Sequence, residues 1–179
     1  MNKILVTLLS LCVLVVSCTN NASDETDATT EVTKTSLKNE IQQIEDSLFA
    51  SIPQVPKDLY DRAISKNLQY VDHYPTDEYS AECLDRVQGY FTQLQRLKQA
   101  VAYTDILLEN FPNYKNKKFL MYNRATSLDM LRDTMRARIA YKEYLDTFKD
   151  LSDEERIEIE ELIELVPYSF EERILMMNP

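Results

Sequence analysis

Apolar residues along most of the chain recur three and four positions apart, which is the spacing of one face of an α-helix. The first such stripe consists of Leu37, Ile41, Ile44 and Leu48. Ser36 precedes this stripe and is a residue type that favours the N-cap of a helix. Pro53 and Pro56 follow it and cannot continue the backbone hydrogen bonds. The pattern therefore predicts a helix that begins at Ser36 and ends before Pro53.

The later stripes predict further helices, separated by proline or short polar turns. Thr76 is a candidate N-cap for the third helix, and Ser152 with Glu155 forms a candidate capping box. The short last helix follows Pro167. No segment has the alternating pattern of a strand, so we expect about eight helices and an all-α fold. The predicted intermediate helices cover residues 57–74, 76–94, 100–112, 118–131, 134–148 and 152–165.

A phrase of about 13 residues occurs three times at a fixed spacing. It begins at Ala63, Ala100 and Ala137, which are 37 residues apart, and two of the copies end in proline. Seven positions after each alanine comes a large apolar or aromatic residue, Tyr70, Leu107 or Tyr144. A period of this length is typical of stacked helical hairpins. We expect the alanines to lie where two helices approach closely, because a larger side chain would separate them.

Composition narrows the class of function. The 179 residues include one glycine and no tryptophan, which argues against glycine-rich phosphate loops and a sheet rich in tight turns. The formal net charge is −10. An acidic surface repels nucleic acid, so we expect no nucleic-acid partner.

The chain begins with a candidate export signal. Lys3 precedes 13 largely apolar residues, Ile4 to Val16. This stretch is shorter than the roughly 20 residues of a membrane span, and its layout favours a secretion signal over residues 1–17. Residues 18–35 are mostly polar and are predicted to form a flexible linker. The helical domain is then expected over residues 36–179.

The end of this signal, Val15-Val16-Ser17-Cys18, resembles the lipobox of bacterial lipoproteins. The resemblance implies that Cys18 becomes the acylated first residue and anchors the protein in the bilayer, as expected for an outer-membrane lipoprotein. An ordinary cleaved signal or a signal anchor is the alternative. Ser23-Asp24-Glu25 resembles the short acidic signals that send some lipoproteins to the cell surface, but we expect the periplasmic face.

The helical body resembles tetratricopeptide repeats over roughly residues 57–150. Residues 81–114 and 118–151 match the pattern without internal gaps, with Ala100 and Ala137 at its small position and Pro112 at its terminal proline. Gln88 and Arg124 depart from the usual residue types. With the lipobox, the pattern is similar to tetratricopeptide outer-membrane lipoproteins, including the assembly-machine and cell-division coordinator types. Those families are scaffolds that hold other proteins and catalyse nothing.

The resemblance implies a binding face on the first helix of each hairpin. Carried onto this chain, the partner-binding residues are Glu82, Asp85, Gln93, Phe119, Tyr122, Asp129 and Met130. Three acids beside aromatic and thioether surface suit a basic, partly apolar segment of an envelope protein. The alternative is that these side chains are merely exposed and the protein is purely structural.

Residues with catalytic or ligating chemistry are few. His73 is the single histidine, and one histidine without nearby cysteines does not make a zinc site. Cys83 is predicted to be a buried small apolar residue. We therefore expect no enzyme, metal or cofactor, and a protein-binding scaffold as the function. The alternative function is a surface-exposed accessory lipoprotein that aids nutrient or glycan uptake.

Overall fold

A computed structural model describes residues 24–177 of the protein and the side chains of residues 34–176. Within this part of the chain all regular elements are helices, which confirms the all-α prediction. They are α1 (Asp24–Ala50), α2 (Lys57–His73), α3 (Glu78–Gln93), α4 (Leu97–Asn110), α5 (Lys117–Met130), α6 (Thr134–Thr147), α7 (Asp153–Leu165) and α8 (Phe170–Met177). None of the helices in the described range is long and apolar enough to cross a bilayer.

The first seven helices pack in chain order. Each of α1 to α6 contacts the helix that follows it. Short connections, such as the three residues between α3 and α4, return the chain so that neighbouring helices lie side by side. The core therefore runs along the whole stack as a series of apolar clusters, each shared by neighbouring helices.

Helix α1 is longer than its apolar stripe predicts. All four stripe residues are buried, as expected, at Leu37, Ile41, Ile44 and Leu48. However, α1 begins at Asp24, so the prediction of a flexible linker is wrong for residues 24–35. No proline or glycine interrupts these residues, so the backbone hydrogen bonds of the helix continue toward the N-terminus. Ser36 is thus inside the helix and not its cap. The signal segment 1–17, Cys18 and residues 19–23 lie outside the described residues.

The three alanines of the repeat lie in the core, as predicted. Ala63, Ala100 and Ala137 are 0%, 2% and 0% exposed. Ala100 on α4 packs in one cluster with residues of both preceding helices, Ile64, Val87 and Phe91. The large residues seven positions later, Tyr70, Leu107 and Tyr144, are buried as well.

The repeat is also visible in the backbone. The turns after α3 and α5 each contain a non-glycine residue with positive φ, Gln95 at 56° and Arg132 at 59°. In each turn the next amide donates back to a helix carbonyl, Arg96 N to Phe91 O at 2.8 Å and Asp133 N to Leu128 O at 3.0 Å. This is the hydrogen-bond pattern of a Schellman C-cap. The two turns lie 37 residues apart and are built alike.

Two predicted helix starts have different outcomes. The capping box of Ser152 and Glu155 is present at the start of α7. The N-cap of α3 is Asp77, whose carboxylate accepts from the Tyr79 amide at 2.9 Å, so the prediction of Thr76 is wrong. The same Asp77 oxygen accepts from the Tyr70 hydroxyl at 3.2 Å, which ties this cap to the core of α2.

Candidate functional site

The structure divides the seven predicted binding residues between two ends of their helices. Glu82 and Gln93 lie 11 residues apart on α3, and Phe119 and Met130 lie 11 residues apart on α5. At 1.5 Å per residue, each pair is separated by about 16 Å along its helix. Glu82, Asp85, Phe119 and Tyr122 therefore lie toward the starts of α3 and α5. Gln93, Asp129 and Met130 lie at the opposite ends.

Asp129 is not part of an open face. Its side chain is buried, and both carboxylate oxygens accept from the Arg173 guanidinium of α8 at 2.7 Å. The hydrogen bond to Asp129 raises the pKa of Arg173, so its guanidinium stays charged. The prediction that Asp129 faces a partner is wrong, because its partner lies within the chain. Met130 beside it is 60% exposed, and Gln93 is exposed.

The acids at the start of α3 are also engaged within the protein. Asp85 accepts from the Tyr114 hydroxyl at 3.0 Å and from the Asn116 amide at 2.8 Å. Burial, with the neighbouring Asp85 carboxylate adding to it, raises the pKa of Tyr114, so its hydroxyl remains a donor. Glu82 pairs with Lys115 at 3.1 Å. Both acids thus hold the connection between α4 and α5 against α3.

These contacts shape two neighbouring clefts at one edge of the stack. The first has a volume of about 520 Å³ and lies between the start of α3 and the α4–α5 connection. Its lining includes Glu78, Ala81, Glu82, Phe111, Tyr114 and Lys115. The second has about 370 Å³ and is lined by Lys115, Asn116, Lys118, Phe119, Tyr122 and Tyr144. Lys115 lines both clefts, and we call the pair the edge groove.

The edge groove has an acidic end and a basic, aromatic end. Glu78 and Glu82 lie at the first, and Lys118 and Phe119 at the second. Lys118 donates to Glu155 at 2.7 Å, and this hydrogen bond raises the pKa of its ammonium group. Phe119 is 60% exposed. The aromatic surface is therefore flanked by lysines rather than by the acids that the sequence-based prediction assigned to it.

Phe119 differs from the other aromatic residues of the second cleft. The Tyr122 and Tyr144 rings contact each other edge to face, with centroids 6.1 Å apart. Tyr144 is buried, and Tyr122 packs against the same core cluster. Phe119 alone among the three is largely exposed, so it is the side chain that a bound segment would cover.

The other residues singled out by their chemistry have local structural contacts. The His73 Nδ1 lies 2.8 Å from the Gln69 carbonyl oxygen, one turn earlier on α2. Cys83 is fully buried, and burial raises the pKa of its thiol to about 12. Among the described side chains, no three potential metal ligands come together.

Several groove residues are absent from the sequence-based prediction, among them Glu78, Lys115, Lys118 and Tyr144. The 37-residue period carries a signal that could have found them. Glu78 and Lys115 occupy the same position of the period, as do Glu82 and Phe119, and Ala81 and Lys118. Comparing each residue at the start of α3 with the residue 37 positions later would have shown that the same edge of the stack recurs with different charges.

Comparison with known proteins does not assign the chain to a family. No protein-family model matches the chain. No curated protein matches it significantly either.

Proposed function

We propose that the protein is a lipid-anchored, tetratricopeptide-like scaffold that binds a segment of another envelope protein and has no catalytic activity of its own. The observation that carries this proposal is the edge groove, two clefts joined by Lys115 with exposed Phe119 at one end. Two neighbouring clefts that share a lining residue offer an extended segment more contact than either cleft alone.

The packing of the helices supports the tetratricopeptide-like part of the proposal. Consecutive helices contact one another in chain order, and the turns after α3 and α5 have the same backbone pattern 37 residues apart. Such stacks present long surfaces that other proteins use for binding.

The charges of the groove suggest the orientation of the bound segment. Glu78 favours lysine or arginine at one end of the segment. The other charges of the groove already pair within the protein, Glu82 with Lys115 and Lys118 with Glu155. An apolar side chain over Phe119 would supply most of the affinity, because exposed aromatic residues gain most from being covered. The segment thus carries a basic residue and an apolar anchor.

The proposed anchor is Cys18, where the expected lipobox ends. Leu37, the first of the described side chains to be buried, comes 19 positions later. A stretch of that length would keep the helical body within some tens of Å of the bilayer, facing the periplasm in this proposal. Acyl chains on Cys18 would contribute roughly 0.8 kcal/mol per buried CH₂ to membrane binding.

A crosslinked pull-down of the native lipidated protein from membranes tests the function. We expect one envelope protein at near-stoichiometric abundance, identified by mass spectrometry. The variant Phe119→Ala with Lys115→Glu should reduce its recovery several-fold, because both changed side chains are exposed parts of the groove. Phe49→Ala is the matched control, since Phe49 is 80% exposed at the end of α1, away from the groove.

Two outcomes would contradict the proposal. Recovery of no protein above background, with the protein intact and folded, would argue against a scaffold. Equal recovery by the groove variant and by wild type would argue against the groove as the binding surface.

A further inference from the structure

A separate cleft, outside the edge groove, is lined by more basic than acidic side chains although the protein is acidic. It lies between the start of α4 and the turn that joins α5 to α6, with a volume of about 540 Å³. This size is in the usual range for small-molecule sites. It is lined by Lys98, Val101, Leu128, Leu131, Arg132, Asp133 and Arg136. Three cations and one acid thus surround a floor of three aliphatic side chains.

Two of these cations form no salt bridge with a carboxylate of the described residues, although Glu172 lies near enough to Arg132 for the two charges to interact. The Arg132 guanidinium donates to two backbone carbonyls, Tyr168 O at 2.5 Å and Pro167 O at 3.3 Å, which fix its position but leave its charge. Lys98 is exposed, and no carboxylate of the described residues pairs with it. Arg136 lies 3.6 Å from both Asp105 and Asp133. The cleft therefore keeps a positive charge while the whole chain has a net charge of −10.

The 37-residue repeat supplies an internal comparison for this cleft. The apolar floor is kept one period earlier, because Val101, Leu128 and Leu131 correspond to Ile64, Phe91 and Leu94. The helical packing thus requires apolar residues at these positions.

The three basic residues, in contrast, have no basic counterpart one period earlier. Lys98, Arg132 and Arg136 correspond to Asp61, Gln95 and Gln99 one period earlier. The acid of that earlier turn is paired instead, since Asp61 lies 2.6 Å from Lys57 and 3.8 Å from Arg96. The same turn with the same backbone geometry is therefore built without a net positive cleft, so the turn does not need Lys98 or Arg136, while Arg132 also holds the connection between α7 and α8.

We propose that this cleft binds a small amphiphilic anion, a carboxylate or a phosphate monoester with a short aliphatic part. The anionic group lies between Lys98, Arg132 and Arg136, where charge-assisted hydrogen bonds favour it. The aliphatic part covers Val101 and Leu131. The source of the anion is either a free small molecule or the headgroup of a lipid.

The test is a titration followed by the methyl NMR signals of Val101 and Leu131. The full chain is held in nanodiscs of phosphatidylcholine, which carry no net charge. The probes are hexyl phosphate, hexanoate, inorganic phosphate and 1-hexanol. We expect saturable shifts with hexyl phosphate and hexanoate, and weaker or no shifts with inorganic phosphate or 1-hexanol, because each of the latter lacks one half of the ligand.

The variant Lys98→Gln with Arg136→Gln removes two exposed cations, and at position 136 it copies Gln99 of the preceding repeat. We expect it to bind hexyl phosphate at least about tenfold more weakly, which corresponds to about 1.4 kcal/mol. The control is Arg138→Gln with Lys142→Gln, which makes the same charge change at exposed positions of α6 that do not line the cleft. This control should bind within about twofold of wild type.

A second arm uses nanodiscs that contain phosphatidylglycerol. Shifts at Val101 and Leu131 in these discs without added probe would identify a lipid headgroup as the source of the anion. Absence of shifts with every probe and in both kinds of nanodisc would overturn the proposal. Equal loss of affinity in the control variant would overturn it too, since the effect would then come from overall charge.

Discussion

Small side chains set the distance between neighbouring helices in this protein. Ala100 packs against residues of α2 and α3 at once, and it is 2% exposed. Thr104, one turn later and also buried, donates its hydroxyl to the Ala100 carbonyl at 2.9 Å, so the polar group inside this contact is satisfied. No room remains for a longer side chain at this position unless the helices move apart.

We therefore expect Ala100→Leu to lower the free energy of unfolding by about 1–3 kcal/mol, the usual cost of overpacking a core. Urea denaturation followed by circular dichroism measures this change. Ala102→Leu is the matched control, because Ala102 is on the same helix but exposed, and it should change stability by less than about 0.5 kcal/mol. Equal effects of the two substitutions would show that Ala100 is not at a close contact.

Cys83 illustrates how burial alone controls a reactive group. Its thiol packs with Leu37, Ile41 and Tyr70, and burial raises its pKa to about 12. The reactive thiolate is therefore scarce in the folded protein at pH 8. Because folding favours the protonated thiol, its contribution to stability is complete below the unfolded pKa of about 8.5 and is lost as the pH rises toward 12.

We expect Cys83 in the folded protein to react with iodoacetamide at pH 8 at least about a hundredfold more slowly than in urea, given its raised pKa and its burial. Mass spectrometry of the Cys83 peptide measures the rate, and Cys83→Ser shows any background at other cysteines. Fast labelling of the folded protein would contradict the burial of this residue.

Among the helices, α8 depends most on a single polar contact. Its Arg173 forms the two-pronged pair with buried Asp129 of α5, while Phe170 and Leu175 are more than 70% exposed. The apolar side chains of α8 thus contribute little burial within the described chain. The position of α8 rests on Asp129 and on the bonds from Arg132 to the Pro167 and Tyr168 carbonyls.

Asp129→Asn would leave the Arg173 charge, on a side chain only 17% exposed, without its carboxylate and with the Val166 and Tyr168 carbonyls as its remaining acceptors. We expect a loss of about 3 kcal/mol in the free energy of unfolding, because breaking one side of a buried ion pair is strongly destabilising. Hydrogen exchange should also become faster in α8. Asp146→Asn removes an equal charge from an 80% exposed pair with Lys149 and should cost under about 1 kcal/mol. Unchanged exchange in α8 would contradict the role of this pair.

The local pattern of apolar residues predicts the helices of this chain better than the contacts between them. The apolar spacing locates α2 to α7 within a few residues, and Ser152 with Glu155 marks the start of α7. The start of α1 could not be predicted in this way, because residues 24–35 carry no apolar stripe. The Asp129–Arg173 pair joins residues 44 positions apart, and no periodicity connects them. The acids at the edge groove also pair with residues far away in the sequence, so the sequence could not show which acids are paired.

At the scale of the whole molecule, a short stretch of chain joins the expected lipid anchor to the helical core. Leu37, the first of the described side chains to be buried, comes 19 positions after Cys18. In the proposed arrangement, the stack therefore stays within some tens of Å of the bilayer, where an envelope protein can reach the edge groove.

Cys18→Ser removes the thiol that the lipid would require. We expect the variant protein to appear in the soluble fraction after cell fractionation, whereas the wild-type protein remains with the membranes. Cys83→Ser is the control, because Cys83 is buried in the helical body and should not change the distribution. Retention of Cys18→Ser in the membrane fraction would favour an anchor formed by the N-terminal apolar segment.

Site-specific photo-crosslinking in intact cells tests the scaffold function most directly. A photoreactive amino acid replaces Phe119 in the edge groove or, as a control, Ile157 on α7, which is 54% exposed and does not line the groove. We expect one dominant crosslink to an envelope protein from position 119 and none to that protein from position 157. The same crosslinked proteins at both positions, or none at position 119, would contradict it.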